Sequence, residues 1–402
     1  MKKTMLFAAI AALVLVTGCA KNIDLAPTAT TQHAIGFSHY TPRSLSKAND
    51  TFVNGTTLVA GKTFAVYAWA TTYSNFLTAD PGAPGFMNPA VVTWNDNDAE
   101  GAHNAYTPLR YWPAGTTPDN LSFTAYYPYS GAGITAPTFT SGVGTYAFEA
   151  QSTSAAMVDF CVADVVNDQV YGNTNATSGS SNKGTVAFTF KHQLAKVQFK
   201  FKTDNNDSNT EVKLKGAKLY NIQTKGTLTA TYEQNATPAV NAAGTTTTTW
   251  SAQAIASTPV VYDVTFNGTA ATDAAPITLH TNLIPADASS SNPATDIFLM
   301  VPQTMIAPAF SATPNTPEKL TSNAQYLLVS WDVTTGGVTT SNTQALYLDQ
   351  CVTEDNGSSQ ANIDWAKNSF VTYTITIGPK PIYFTATVTD WATEQTGFFN
   401  VN

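Results

Sequence analysis

Apolar residues recur at every second position in one segment of this chain after another. Thr63-Phe64-Ala65-Val66-Tyr67-Ala68-Trp69 and Leu121-Ser122-Phe123-Thr124-Ala125-Tyr126-Tyr127 carry the alternation of a strand packed on a core. The strongest pair is Thr185-Val186-Ala187-Phe188-Thr189-Phe190, followed through Lys191-His192-Gln193 by Leu194-Ala195-Lys196-Val197-Gln198-Phe199-Lys200-Phe201-Lys202. Further strands are predicted over residues 211–220, 226–232, 277–279, 296–302, 326–333, 370–377 and 382–391. Residues 78–104 and 130–147 read as loops, residues 156–166 as a short helix or strand, and the threonine run 245–249 as too polar for a core. No segment of helical length carries a sustained 3.6-residue stripe, so helix content is expected to be low. Many short strands with turns between them predict an all-β chain of sandwich-like, Greek-key design.

With 402 residues the chain exceeds a single core of ordinary size. We place a boundary near residue 185, giving an N-terminal sandwich over 44–185 and a C-terminal one over 186–402. Ahead of these stand residues 1–19 and a polar leader, 20–43. In the former, Lys2 and Lys3 precede an apolar run from Met5 to Val16, then Thr17-Gly18-Cys19. A basic end followed by a short apolar run is a secretory signal, and the run is shorter than the roughly 20 residues a membrane-spanning helix needs. Small residues running into a cysteine fit lipoprotein processing, with Cys19 the lipidated first residue of the mature protein. An ordinary cleaved signal with an incidental cysteine is the alternative.

Composition narrows the function classes. Charged residues are only 11% of the chain, against about 25% in a typical soluble protein. A net charge of -8 with two arginines, Arg43 and Arg110, excludes the basic footprint of a nucleic-acid partner. Nine of the nineteen basic residues lie between Lys183 and Lys225, at alternating strand positions that suit a solvated sheet face. Cys161 and Cys351 have nothing in the sequence that brings them together as a disulfide.

No catalytic pattern is present: there is no Gly-x-Ser-x-Gly, His-Glu-x-x-His, phosphate-cradling glycine loop or paired-cysteine metal spacing. Asp96, Asn97, Asp98 and Glu100 lack the glycine and distal glutamate of a calcium loop, and His192 reads as a hydrogen-bonded residue in the link between two strands. No enzyme activity, metal or cofactor is expected. Tyr111, Trp112, Tyr126 and Tyr129 are candidate ligand-contacting aromatics for a glycan, with core and rim packing as the competing reading.

In order along the chain come the lipoprotein signal, Phe64-Ala65-Val66-Tyr67-Ala68, Tyr111-Trp112-Pro113 ahead of Leu121 to Tyr129, Phe188-Thr189-Phe190-Lys191-His192-Gln193-Leu194-Ala195-Lys196-Val197, Leu299-Met300-Val301-Pro302-Gln303, and Tyr373-Thr374-Ile375-Thr376-Ile377 leading to Trp391. This series resembles the fimbrillin-like proteins of the Bacteroidales, which include stalk, accessory and tip pilins. The resemblance implies two transthyretin-like β-sandwich domains in tandem, exported as an outer-membrane lipoprotein precursor to the fimbria at the cell surface. It also implies a trypsin-like protease that cuts after a basic residue and removes the first strand, opening a groove for a strand of a neighbouring pilin subunit. An unpaired sheet edge is a template for such a strand.

Carried onto this chain, the cut falls between Arg43 and Ser44, with Lys47 as second candidate. Ile35 and Phe37 are the alternating residues of the plug strand, and Phe399 and Val401 those of a candidate donor tail. The alternatives are a surface-tethered glycan-binding lipoprotein and a non-polymerising fimbrial anchor that keeps its lipid.

Overall fold

The computed structural model describes residues 33–40, 52–53, 57–58, 61–70, 84–94, 105–114, 120–131, 133–171, 184–233, 244–256, 259–281, 295–310, 322–351, 363–378 and 383–390. In chain order the strands are β1 (Gly36–Tyr40), β2 (Phe52–Val53), β3 (Thr57–Leu58), β4 (Thr63–Ala70), β5 (Met87–Thr93), β6 (Leu121–Tyr127), β7 (Thr138–Thr140), β8 (Val143–Glu149), β9 (Cys161–Ala163), β10 (Val166–Gln169), β11 (Thr185–His192) and β12 (Ala195–Lys202). They continue as β13 (Thr210–Tyr220), β14 (Lys225–Glu233), β15 (Thr245–Ala254), β16 (Tyr262–Asp263), β17 (Thr265–Phe266), β18 (Thr269–Ala270), β19 (Ile277–Thr278), β20 (Ile297–Met300), β21 (Tyr326–Thr335), β22 (Val338–Tyr347), β23 (Ser369–Thr376) and β24 (Tyr383–Asp390). Two 3-10 turns, at Ser154–Ala156 and Leu348–Gln350, are the only helical pieces among the described residues. The chain is all-β, as its hydrophobic alternation predicts.

A seven-stranded sheet runs β1-β11-β9-β6-β4-β5, with β10 also joined to β6. Its period-2 alternation feeds two cores, because both faces are covered. From β4, Ala65, Tyr67 and Trp69 enter one core while Phe64, Val66 and Ala68 enter the other. The first face meets a four-stranded sheet, β15-β14-β8-β7, through contacts such as Tyr126 edge-on to Tyr146 with ring centroids 5.5 Å apart. The opposite face gathers Phe123, Phe188 and Phe190 in one core with Ile35, Phe37, Tyr106 and Trp112. Beyond this pair, a four-stranded sheet β20-β12-β23-β24 and a five-stranded sheet β16-β13-β21-β22, with β19 on β13, share the first core through Val197, Phe199, Leu214, Leu219, Val329 and Tyr373.

Several elements depart from the sequence reading. Strand β5 lies inside the expected loop 78–104, and β8 lies at the end of the expected loop 130–147, where Tyr146 and Phe148 are core residues. The threonine run forms β15, with Thr246 and Thr248 buried. The hydroxyls of both buried threonines are satisfied: Thr246 Oγ1 accepts from Val165 N at 2.9 Å and donates to Ala163 O at 3.1 Å, and Thr248 Oγ1 accepts from Lys367 Nζ at 2.8 Å.

Sheet membership also ignores a cut at residue 185. Strand β11 belongs to the seven-stranded sheet, and after β12 and β13 the chain returns as the β14–β15 hairpin to pair with β8 over Val143–Glu149. Backbone pairing chooses a partner by edge availability rather than by sequence order, so the four-stranded sheet draws on residues before and after 185. The expected solvated basic face is present on β13, where Lys213, Lys215 and Lys218 pair with Glu211, with Asp273 and Asp332, and with Asp263. Lys196 is the exception on β12: it is buried, with its ammonium 5.1 Å from the centre of the Phe370 ring.

Candidate functional site

The first strand occupies an unusual place. β1 forms an edge of the seven-stranded sheet and runs parallel to β11 in the register Gly36↔Thr185 to Tyr40↔Thr189. Parallel neighbours require a crossover, and here residues 41–184 lie between the two strands. Ahead of β1, residues 33–35 are also held from the other side. Ile35 N donates to Arg110 O at 2.9 Å, Trp112 N donates to His33 O at 2.9 Å, and Ala34 bridges Tyr111 in antiparallel fashion.

Alternation then sends Ile35 and Phe37 inward, 1% and 0% exposed. The Phe37 ring sits in an aromatic pocket: Tyr106 lies 5.3 Å away, Phe188 5.9 Å and nearly parallel, and Phe123 6.2 Å edge-on. The hydroxyl of Tyr106 donates to Ile35 O at 2.9 Å. Burial raises the pKa of that phenol, against an opposing effect of the backbone bond to Arg110 and its charge, so it remains a proton donor. Trp112 Nε1 donates to Gly184 O at 3.0 Å just ahead of β11, and His33 stacks on Tyr171 at 3.6 Å. The site is a trench lined by Tyr106, Trp112, Phe123, Val186 and Phe188 and filled by β1.

Of the candidate glycan-contacting aromatics, the structure brings only Tyr111 and Tyr129 to the surface, at 42% and 36% exposure, while Trp112 and Tyr126 are core residues. Trp112 belongs to the trench, and Tyr126 packs against Tyr67 and Tyr146. Half of that candidate platform is therefore unavailable to a ligand. Cys19, Arg43, Ser44, Lys47, Phe399 and Val401, and the acidic loop 96–100, lie outside the described residues.

Sequence reasoning missed a buried trio. His192 ends β11 opposite Cys161 of β9, and both meet Asp159: His192 Nδ1 is 2.5 Å and Cys161 Sγ 3.4 Å from Asp159 Oδ2. Burial, and then the Asp159 charge and hydrogen bond, push the Cys161 thiol well above its usual pKa, so it is not poised as a nucleophile. Among the described residues this is the one grouping whose ligand atoms are close enough for a metal, but one carboxylate oxygen already accepts from both partners. The trio acts as a polar knot between β9 and β11, which makes His192 hydrogen-bonded as expected, though inside a strand. Only the short interval between residues 159 and 161 was visible in sequence, and nothing there marks residue 192 as its neighbour. Cys161 and Cys351 are both buried free thiols.

A family model described as fimbrillin-like matches residues 51–391. The fimbrium subunit Fim1C of Phocaeicola vulgatus is 30% identical over 216 residues, which cover 51% of this chain and 53% of that protein; the chain thus spans about half the length of this curated relative. Among solved structures, a fimbrial protein from Bacteroides vulgatus aligns over 90% of this chain and all of its own, at 18% identity and a TM-score of 0.49. A protein from Bacteroides uniformis, described as a putative cell adhesion protein, aligns over 91% of this chain and all of its own, at 16% identity and a TM-score of 0.43. Such distant structural likenesses carry no weight of their own, whereas the family model spans most of the sequence: the chain belongs to the fimbrillin-like family.

Proposed function

We propose that this protein is a structural subunit of a cell-surface fimbria, at a stalk or tip position, that polymerises by strand exchange once its first strand has been removed. The observation that carries the reading is β1 itself, an edge strand paired in parallel whose two inward side chains fill an aromatic trench. β1 ends at Tyr40 and the next strand begins at Phe52. A cut after Arg43, or after Lys47, therefore severs β1 from the body of the protein without touching another described strand. Loss of β1 would uncover both the edge of β11 and an apolar trench, a combination that recruits an added strand.

On this reading Cys19 carries a temporary lipid that holds the precursor at the outer membrane, and a trypsin-like protease removes tether and plug together. The products would be fimbrial subunits joined to other pilins, with no nucleic acid, cofactor or catalysis involved. N-terminal sequencing of protein taken from the cell surface, with electrophoresis of unheated samples, tests it. The expected result is a start at Ser44 and a ladder of multimers that Arg43→Ala abolishes. A lipidated Cys19 start with monomers alone would overturn polymerisation and leave a non-polymerising anchor or a tethered binding protein.

A further inference from the structure

We infer that the free edge of β22 pairs antiparallel with the same edge of a second copy of this chain, about a twofold axis at Thr343. The contact uses neither β1 nor the trench, so it is independent of strand exchange. β22 is the last strand of its sheet, β16-β13-β21-β22. It runs for ten residues, Val338–Tyr347, without a charge, a proline or a break in its register against β21. Natural sheets usually blunt such an edge, and other edges of this protein are blunted. β5 carries Pro89, β7 and β20 are three and four residues long, and β24 ends on Asp390. β15 is as long as β22 but is broken by a register shift opposite Lys225 and Thr227, with Ala252 at a φ of +51°.

Hairpin geometry decides which backbone groups the edge presents. Gly336 and Gly337, both at positive φ, form a two-residue turn closed by Thr335 and Val338, which bond each other as the first and last residues of the turn. Opposed pairs in an antiparallel ladder alternate between bonded and non-bonded, so the even-numbered residues of β22 bond β21. Thr339, Ser341, Thr343, Ala345 and Tyr347 therefore turn their N–H and C=O groups to the open side. Among the described residues no group bonds them there. The hydroxyls that could fold over them are tied back to β21: Thr339 to Thr334 at 2.9 Å, Ser341 to Asp332 at 2.6 Å and Thr343 to Ser330 at 3.0 Å.

The same five positions select a second copy as the occupant. With the axis at Thr343, Thr343 faces itself, Ser341 faces Ala345 and Thr339 faces Tyr347, so every outward residue of one copy meets an outward residue of the other. On the opposite face Asn342 meets Gln344. No residue in the pairing is charged, and Thr339 against the Tyr347 ring is a favourable β-branched and aromatic pair that symmetry makes twice. Antiparallel pairing is also the stronger arrangement per residue. A charged foreign strand finds no counter-charge on β22, and an apolar one finds polar Thr340, Asn342 and Gln344 on the side of Leu346.

The full-length chain, with β1 in place, is tested by thiol cross-linking and by sedimentation. Opposed residues have Cβ atoms about 4.5–5.5 Å apart, within reach of a short cross-linker. Cys161 and Cys351 are buried, and linking by native thiols is read from the parent chain. Thr343→Cys should link two copies well above the parent, and a mixture of Thr339→Cys chains with Tyr347→Cys chains should link likewise. Thr339→Cys alone should stay at the parent level, because its two copies lie about 27 Å apart, at about 3.4 Å for each of eight residues. Thr343→Lys sets like charges opposite each other at the axis and should weaken dimerisation about fivefold or more. Linking by Thr339→Cys as strong as by Thr343→Cys overturns the antiparallel pairing. Linking by Thr343→Cys no stronger than in the parent, a parent chain that stays monomeric in sedimentation, or a dimer that Thr343→Lys leaves unchanged overturns the contact itself. Melting curves that match the parent exclude misfolding as the cause.

Discussion

Replacing Phe37 with alanine separates a removable strand from an integral one. Phe37 has no solvent exposure and packs against three rings, and truncating a buried phenylalanine costs about 3–5 kcal/mol. At about 1.4 kcal/mol per tenfold, the opening equilibrium of β1 should rise by roughly two to three and a half powers of ten. Hydrogen exchange followed by mass spectrometry reads this directly, because amides of a locally opening segment exchange at a lower free energy than those that need global unfolding. In the parent protein, amides of β1 should already exchange at lower free energy than those of β4 and β6. Phe37→Ala should then speed β1 exchange by the stated factor while leaving the gap between β1 and β6 unchanged, since it weakens docking and not the body that remains. Phe123→Ala, which removes a ring of the same pocket from the central strand β6, should narrow that gap. One common exchange free energy for β1, β4 and β6 in the parent and in Phe37→Ala would refute the reasoning, because β1 would then open only with the whole fold.

Other consequences can be checked independently. Burial raises the phenol pKa of Tyr146, Tyr232 and Tyr373, with Tyr232 pushed up to about 12. Between the ordinary value and the raised one the folded state keeps protons that the unfolded chain has released, so stability is fully present below about pH 10 and falls as pH rises, by up to about 1.4 kcal/mol per unit per group. Urea midpoints should be lower at pH 11 than at pH 9, and less so in Tyr232→Phe; equal midpoints would contradict this. Asp159→Ala removes the acceptor shared by His192 and Cys161 and should cost at least about 1–3 kcal/mol, the penalty of one buried donor left unsatisfied, read as a lower urea midpoint with unchanged slope. At Gly133, where φ is +76°, a methyl group would lie 1.6 Å from Glu149 O, whereas at Gly268, with φ of +80°, it would meet nothing within 4 Å. Gly268→Ala should therefore cost only the backbone term of about 1–2 kcal/mol, and Gly133→Ala clearly more, as compared by thermal melting.

Part of the site is legible in the sequence alone. Ile35 and Phe37 stood out because alternation within a polar leader is a local signal, and they are indeed neighbours on one buried face. Their pocket was not legible: Tyr106, Phe123 and Phe188 come from three distant segments, and no local pattern says that they surround one ring. The same limit explains the aromatic candidates. Tyr111 and Trp112 are adjacent in sequence, yet one is exposed and the other buried, because local order does not say which of two neighbours the rest of the fold covers.

The sequence by itself determined the β class and the principal strands, since period-2 alternation in β4, β6, β11, β12 and β23 encodes which side chains leave water together. Only the tertiary structure decided who neighbours whom. That β14 and β15 return to pair with β8, that polar β15 buries Thr246 and Thr248, and that β1 lies parallel to β11 are long-range choices. The physical reason is that alternation specifies a face, whereas backbone hydrogen bonds, which select the neighbour, are chemically the same for almost every residue.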